Sequence, residues 1–290
     1  MAKHTLSVVI PAFNEEDYIG PCLEALVSQV DELHEIIVVD NNSTDSTAAI
    51  VREFAKEQPK IQLLSEPEPG VAFARNRGFD AATGDILGRL DSDSRAYPNW
   101  ASVVLGFFER DDVDHVGGIS GLNNSYDSPF RKMKGWWVAR QVRLGAMGGD
   151  REIRNLHGAN MAIRRSVWEQ VRDDVSTRKD IHEDVDLALC INAEGPKILQ
   201  LTDMRVDISP RRALTPPRDF TAYIDSGTKT FTLHGAMTPQ IEKALRYHKY
   251  FHVLLYVLHR PYDPKRGKFS VAHAIRRSRV RKLPVTADNI

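Results

Sequence analysis

The chain has 290 residues, 42% hydrophobic and 27% charged, with a formal net charge of zero and two cysteines. Those proportions are ordinary for a soluble globular protein with a full α/β core, and the two thiols, Cys22 and Cys190, exclude a disulfide framework and fit a reducing compartment. No run reaches the roughly 18 to 20 apolar residues of a spanning helix; the run Leu6 to Phe13 is short and holds Pro11, unlike a signal peptide, so a cytoplasmic location is expected.

In chain order, Leu6 to Pro11 is a short β-branched run and reads as a buried strand. Asp17 to Val30 carries apolar residues at helical spacing. Glu35 to Asp40 is a second buried strand, and Ser43 to Ser46 supply caps for a helix through Glu57. Ile61 to Leu64 is a third strand. Gly70 then opens a helix with Ala74, Gly78, Ala81 and Ala82 on one close-packing face. Asp85 to Leu90 is a fourth strand, with Asp91-Ser92-Asp93 just past its end. Strands alternating with helices predict a mainly parallel sheet covered by helices, and ligands bind beyond the carboxyl ends of such strands. Asn14-Glu15, Asp40-Asn41-Asn42 and Asp91-Ser92-Asp93 all follow strand ends and are expected to converge on one edge.

Further on, Val113 to Ile119 reads as a strand, Asn123 to Pro129 as a loop, and Phe130 to Leu144 as a helix with Trp136, Trp137 and several basic residues. Gly158 to Ile163 reads as a strand, and Ser166 as the cap of a helix through Val171. Ile181 to Ala193 is a helix opening on Glu183, Asp184 and Asp186. Ile198 to Ile208 suggests a strand pair ending at Ser209-Pro210-Arg211-Arg212. Pro216 and Pro217 mark a linker before an aromatic helix, Ile241 to Leu258, and a basic tail.

Asp91 and Asp93 suit a hard cation such as magnesium or manganese, which takes oxygen ligands together with substrate phosphates; a capped polar turn is the plain alternative. The ordered set Ser7 to Glu16, Val38 to Thr47, Gly70 to Gly78 and Leu90 to Ser94 resembles the nucleotide-sugar domain of the family-2 glycosyltransferases, over roughly Leu6 to Arg212. The resemblance implies an α/β fold of the A-type: a single Rossmann-like nucleotide-sugar-binding domain with a mixed central sheet, plus a helical basic C-terminal extension. The expected division is a domain at 1–212, with a donor half to about 95 and an acceptor half from 96, followed by linker, helix and tail at 213–290. The implied reaction moves a sugar from a UDP or GDP donor to a hydroxyl acceptor, with inversion, and needs Mg2+ or Mn2+.

The resemblance also implies roles for individual residues. Pro11, Ala12, Asn14 and Glu15 would line the nucleoside pocket, Asp40 would accept from the base, and Arg75 would lie near base or diphosphate. Asp91 would address ribose or metal, and Asp93 the metal. Asp184 matches the base that takes the acceptor proton, with Glu183 orienting it or binding acceptor and Asp186 capping the helix or facing solvent. Plain helix-dipole preference for acids is the alternative for this cluster. Gly158 and Asn160 would leave room for the acceptor. Arg211 and Arg212 would offset charge on the leaving diphosphate, or else are simply exposed.

Trp136, with its basic neighbours, would stack on an acceptor sugar, anchor a helix at a membrane interface, or pack in the core. The excess of Lys and Arg beyond Ile241 points to an anionic partner such as a membrane surface on the inner face of the cell membrane; a solvated tail is the alternative. Three other readings compete. A nucleotidyltransferase lacks its glycine- and lysine-rich loop near Pro11. A non-catalytic binder of nucleotide sugar or lipid would not need Asp184. A nucleic-acid binder is not expected, because no recognisable module accompanies the basic tail.

Overall fold

A computed structural model describes residues 4–263 and 266–275. Lys265, Arg276, Arg277, Arg279 and Arg281, assigned above to the basic tail, lie outside the described residues. Four strands follow the expected alternation: β1 (Leu6–Ala12), β2 (Glu35–Asp40), β3 (Ile61–Ser65) and β4 (Ile86–Arg89). They pair in parallel in the order β3-β2-β1-β4. Between them run α1 (Ile19–Val27), α2 (Thr47–Glu57) and α3 (Val71–Ala81). The first helix is shorter than its apolar pattern and passes into a 3-10 turn at Val30–Glu32. Of the expected cap residues Ser43 to Ser46, Asp45 bonds the start of α2, its Oδ1 accepting the Thr47 N–H at 2.9 Å, while Ser46 at the N-cap makes no side-chain bond.

The sheet continues through a short β5 (Ser94–Ala96), α4 (Trp100–Phe108), β6 (Val116–Ser125), α5 (Arg131–Arg143), β7 (Arg151–Ile153), β8 (Met161–Arg164), α6 (Arg165–Val171), α7 (Glu183–Ala193) and β9 (Lys197–Ile208). Strand β8 is antiparallel to β4 and β6, and β9 is parallel to β6 and antiparallel to β5 and β7. The result is a mixed nine-stranded sheet.

Its strands bury both faces. Leu6, Val8, Ile10, Ile36 and Val38 join one core layer that also holds residues of α1, α2 and α4. Val9, Ile37 and Val39 join the other, with residues of α3, α6 and α7. The period of two along a strand divides consecutive residues between the layers, which is why these strands read as continuous apolar runs.

The structure corrects several expectations downstream. Asn123 to Ser125 are strand, not loop, because their backbone pairs in register with Val206 to Ile208; ladder bonding outweighs the weak strand preference of asparagine. The expected strand pair after Ile198 is one continuous strand, whose extra residues between Gln200 and Arg205 lie opposite the step from Ser120 to Leu122 of β6. Helix α6 begins at Arg165, so Ser166 lies within it. Gly158 to Asn160 form a turn before β8, closed by the Asn160 N–H on the His157 carbonyl at 2.8 Å.

The stretch expected as a linker is helical: Pro217 opens α8 (Pro217–Leu233), and Pro239 opens α9 (Pro239–His259) behind the Thr238 cap. Proline is favoured at a first helical position, where its missing N–H costs nothing and its φ is already helical. A small hairpin, β10 (Tyr262–Asp263) with β11 (Lys268–Phe269), and α10 (Val271–Ile275) follow.

Gly78 sets how closely α3 sits on the sheet, since a Cβ there would lie 2.3 Å from Val9 Cγ1 and 3.1 Å from Val39 Cγ2. Gly78→Ala should therefore destabilise the protein by about 1–3 kcal/mol through overpacking, despite the better helix propensity of alanine. Urea unfolding checks this, and an unchanged midpoint would show that α3 can shift freely.

Candidate functional site

The loops after β1, β2 and β3 are stitched together at the carboxyl end of the sheet. Asn14, at φ 54°, donates its N–H to Ser43 Oγ at 3.0 Å and accepts the Thr44 N–H on Oδ1 at 2.8 Å. Thr47 Oγ1 accepts the Glu15 N–H at 2.8 Å. Asn41 is buried and holds the next loop, donating to the Glu66 and Glu68 carbonyls and accepting the Gly70 N–H. Asp40 stays partly open, its Oδ1 accepting the Ser43 N–H at 3.3 Å. Pro11 is likewise partly open, whereas Ala12 is buried.

Asp93 and Glu15 face each other across Arg211. The Arg211 guanidinium lies 2.6 Å from Asp93 Oδ2 and 2.9 Å from Glu15 Oε2, over the ring of Tyr18 at 3.9 Å. Two largely buried carboxylates thus share a cation supplied from the turn after β9. The neighbouring Arg212 donates to Tyr223 Oη at 2.6 Å.

The second half of the site is built around Glu183. Arg89 Nη1 lies 2.7 Å from one Glu183 oxygen and 2.8 Å from the other. Arg75 Nη1 donates to the Glu183 carbonyl at 2.8 Å and to its carboxylate at 3.2 Å. Arg89 Nη2 also reaches Asp91 Oδ1 at 3.1 Å. All three residues of the Arg75-Glu183-Arg89 group are buried. This group fixes the start of α7 and hence Asp184, whose Oδ2 accepts the Gly158 N–H at 3.1 Å. Burial by itself would raise the Asp184 pKa, but the charges of Arg89 and His182, with that N–H, hold it below the ordinary carboxylate range. His157 and His182 flank it, and burial lowers the pKa of both imidazoles.

The structure gives four expected ligand contacts a different setting. Arg75 is fully buried on Glu183 instead of opening toward a base or diphosphate. Glu183, expected to touch an acceptor, is enclosed by two arginines. Asn160 is fully buried and bonds Trp100 Nε1 and the Met204 carbonyl, so its side chain ties strands together. The space beside Gly158 is filled, because a Cβ there would meet Arg89 Nη1 at 2.6 Å. Trp136 is 64% exposed on α5.

Asp186 also differs from its expected solvent-facing place. It is fully buried, bonds His234 Nε2 at 2.8 Å and accepts the Ser176 N–H at 2.8 Å. Its ligand atom, Cys190 Sγ and a ring nitrogen of His234 lie within 4.8 Å of one another. The two Asp186 oxygens are already committed to protein donors, which makes this a tie between α7 and α8.

Two contributors were not singled out from sequence. Arg89 had a visible signal, a lone charge in the apolar strand Ile86-Leu87-Gly88-Arg89-Leu90, which must find a buried partner. Tyr223 had none, since it fell in the presumed linker; its ring lies 4.1 Å from that of His182 and its backbone carbonyl bonds His182 Nε2.

A family model described as Glycosyl transferase family 2 matches residues 7–172. Over 113 residues the chain is 35% identical to the uncharacterized glycosyltransferase YibD of Escherichia coli, covering 39% of this chain and 33% of the relative. Over 116 residues it is 37% identical to the glycosyltransferase AglE of Haloferax volcanii, covering 39% and 38%. The matched stretch spans about a third of these curated relatives. Among solved structures, a Pyrobaculum calidifontis mannosyltransferase in complex with GDP-Man and Mn2+ superposes with a TM-score of 0.57 at 24% identity, over 87% of this chain and 71% of that one. Glucosyl-3-phosphoglycerate synthase from Mycobacterium tuberculosis, in complex with Mn2+, UDP and glucosyl-3-phosphoglycerate, gives 0.56 at 18% identity, over 82% of each chain. At these identities the likeness to the solved structures is one of fold.

Glu183→Ala should cost about 3–5 kcal/mol of unfolding free energy, because it strands two buried guanidinium groups. Chemical denaturation of the variant checks this; a loss below about 1 kcal/mol would mean that water reaches Arg75 and Arg89.

Proposed function

The chain belongs to glycosyltransferase family 2, and from that premise we propose that it transfers a hexosyl group from a UDP- or GDP-sugar to a hydroxyl acceptor, inverting the anomeric carbon. The observation that carries this reading is the link between Asp91 and Asp184: Arg89 binds both Asp91 and Glu183, the residue next to Asp184. A donor-side carboxylate and a base are thereby set in one rigid frame at the carboxyl end of the sheet. The M. tuberculosis and P. calidifontis enzymes carry UDP or GDP-mannose together with Mn2+ on the same fold, which supports a donor of that class here.

Each residue then has a task. Pro11, Ala12, Asn14 and Asp40 border the nucleoside end of the site, where Asp40 accepts from the base. Asp91 and Asp93 supply only carboxylate oxygens, the donor chemistry that hard divalent cations take; Asp93 with Glu15 already balances the Arg211 guanidinium, and Asp91 pairs with Arg89. A pocket built to hold positive charge fits Mg2+ or Mn2+, held by Asp93 and Asp91. When bound, such an ion offsets the charge of the diphosphate. Arg211 and Arg212 add to that compensation as the anomeric C–O bond breaks and the diphosphate takes the electron pair.

Asp184 receives the acceptor proton as the hydroxyl oxygen forms its bond to the anomeric carbon. Its depressed pKa keeps it ionised at neutral pH. On acidification, turnover should fall only as pH drops toward and below the ordinary carboxylate value of about 4.

Asp93→Ala should abolish the Mn2+-dependent thermal stabilisation given by a nucleotide sugar. Asp184→Asn should retain that stabilisation and lose transfer by about two to four orders of magnitude, the contribution of general-base catalysis. A thermal-shift panel of UDP- and GDP-sugars, with and without Mn2+, followed by product assays checks both. Full turnover by Asp184→Asn would overturn the base assignment.

A further inference from the structure

A helix packed on a protein normally turns its apolar side inward and its histidines outward. Helix α9 does the reverse. Its packed side carries His252 and His259, only 3% and 7% exposed. The His252 ring stacks on Phe220 at 3.5 Å, and its Nε2 bonds the Thr215 carbonyl at 2.8 Å. His259 bonds Ser128 Oγ and lies edge-on to Phe130. The open side carries Tyr247, Tyr250, Phe251, Leu254, Val257 and Leu258, a helical stripe with side chains 38 to 70% exposed.

Helix α5 adds a second stripe, Met133, Trp136, Trp137 and Leu144, 49 to 64% exposed. Phe130, its N-cap, is the residue that touches His259, so the two helices adjoin at one junction. Among the described residues, every large apolar side chain left exposed lies beyond residue 130, and none lies in the donor half. So much clustered apolar surface marks a face that something covers.

The charges decide what covers it. Helix α5 has five Lys and Arg and no Asp or Glu, and α9 has three and one. Exposed Trp and Tyr beside leucines, within a rim that is almost wholly basic, match the headgroup layer of an anionic bilayer. A second copy of the same basic face would repel it. No described helix is long and apolar enough to cross a membrane, and exposed apolar stripes on α5 and α9 suit helices that lie along a surface. We infer that α5 and α9 form an interfacial surface that seats this chain on an anionic lipid bilayer. The inference rests on the proposed function and deepens it by placing the phosphate side of that site next to a lipid surface: His252 holds the carbonyl of Thr215, whose N–H bonds the Arg212 carbonyl and closes the 3-10 turn bearing Arg211 and Arg212.

The test is flotation of the full chain with vesicles of phosphatidylcholine alone or with added phosphatidylglycerol. The wild type should bind the anionic vesicles at least about tenfold more than the zwitterionic ones, and high salt should weaken that binding. The variant Leu254→Gln/Val257→Gln/Leu258→Gln should lose about tenfold or more of the binding, because it removes apolar anchors. Those side chains are exposed, so its circular dichroism and melting temperature should stay as in the wild type. Its stabilisation by nucleotide sugar should also persist, which separates failure of this inference from failure of the proposed reaction. Absence of wild-type binding to anionic vesicles, equal binding by the variant, equal binding to both vesicle types, or a wild-type dimer that the variant dissolves without any vesicle binding would each overturn it.

Discussion

The start of α7 depends on one buried carboxylate held by two guanidinium groups. Glu183 is desolvated, and a lone charge there would be prohibitively costly. Arg89 meets both its oxygens and Arg75 meets one oxygen and the backbone carbonyl, so the pairing comes with directed hydrogen bonds. The three residues belong to α3, β4 and α7, which otherwise lie far apart along the chain. Such an ion group adds little stability over a hydrophobic replacement, but it fixes geometry tightly. What it fixes is the first turn of α7, where Asp184 points at the Gly158 turn.

The turn after β9 is organised by the same logic with the signs exchanged. Here one guanidinium, Arg211, is held between two carboxylates. Its turn is anchored from outside the sheet, by Tyr223 on Arg212 and by His252 on the Thr215 carbonyl. Helices α8 and α9 therefore brace the turn that carries Arg211 and Arg212. The buried histidines in this brace carry lowered pKa values through desolvation and act as neutral hydrogen-bonding partners.

The first ninety residues were legible because each strand is a short apolar run with a polar residue at its end, and parallel pairing brings those ends together. Asn14, Glu15, Asp40 and Asp93 follow from that rule alone. Beyond residue 110 the rule fails for identifiable reasons. Strand β6 runs through Asn123 and Asn124 because β9 offers a long backbone partner, a nonlocal fact that no local pattern carries. Pro216-Pro217 reads as a break, yet the second proline occupies the one helical position that suits it. Within the site, an acidic pair beside a leucine looks alike whether an acid faces substrate or an arginine. Only the fold shows that Glu183 turns inward while Asp184 stays available.

Gly158 shows how these constraints bear on descent. Its missing side chain is replaced by the Arg89 guanidinium, which in turn serves Glu183 and Asp91. A lineage that enlarged position 158 would displace Arg89, and one that shortened Arg89 would leave Glu183 without its closest partner. These positions are therefore expected to change only in concert. Divergence in what the protein acts upon must then accumulate at positions outside this group.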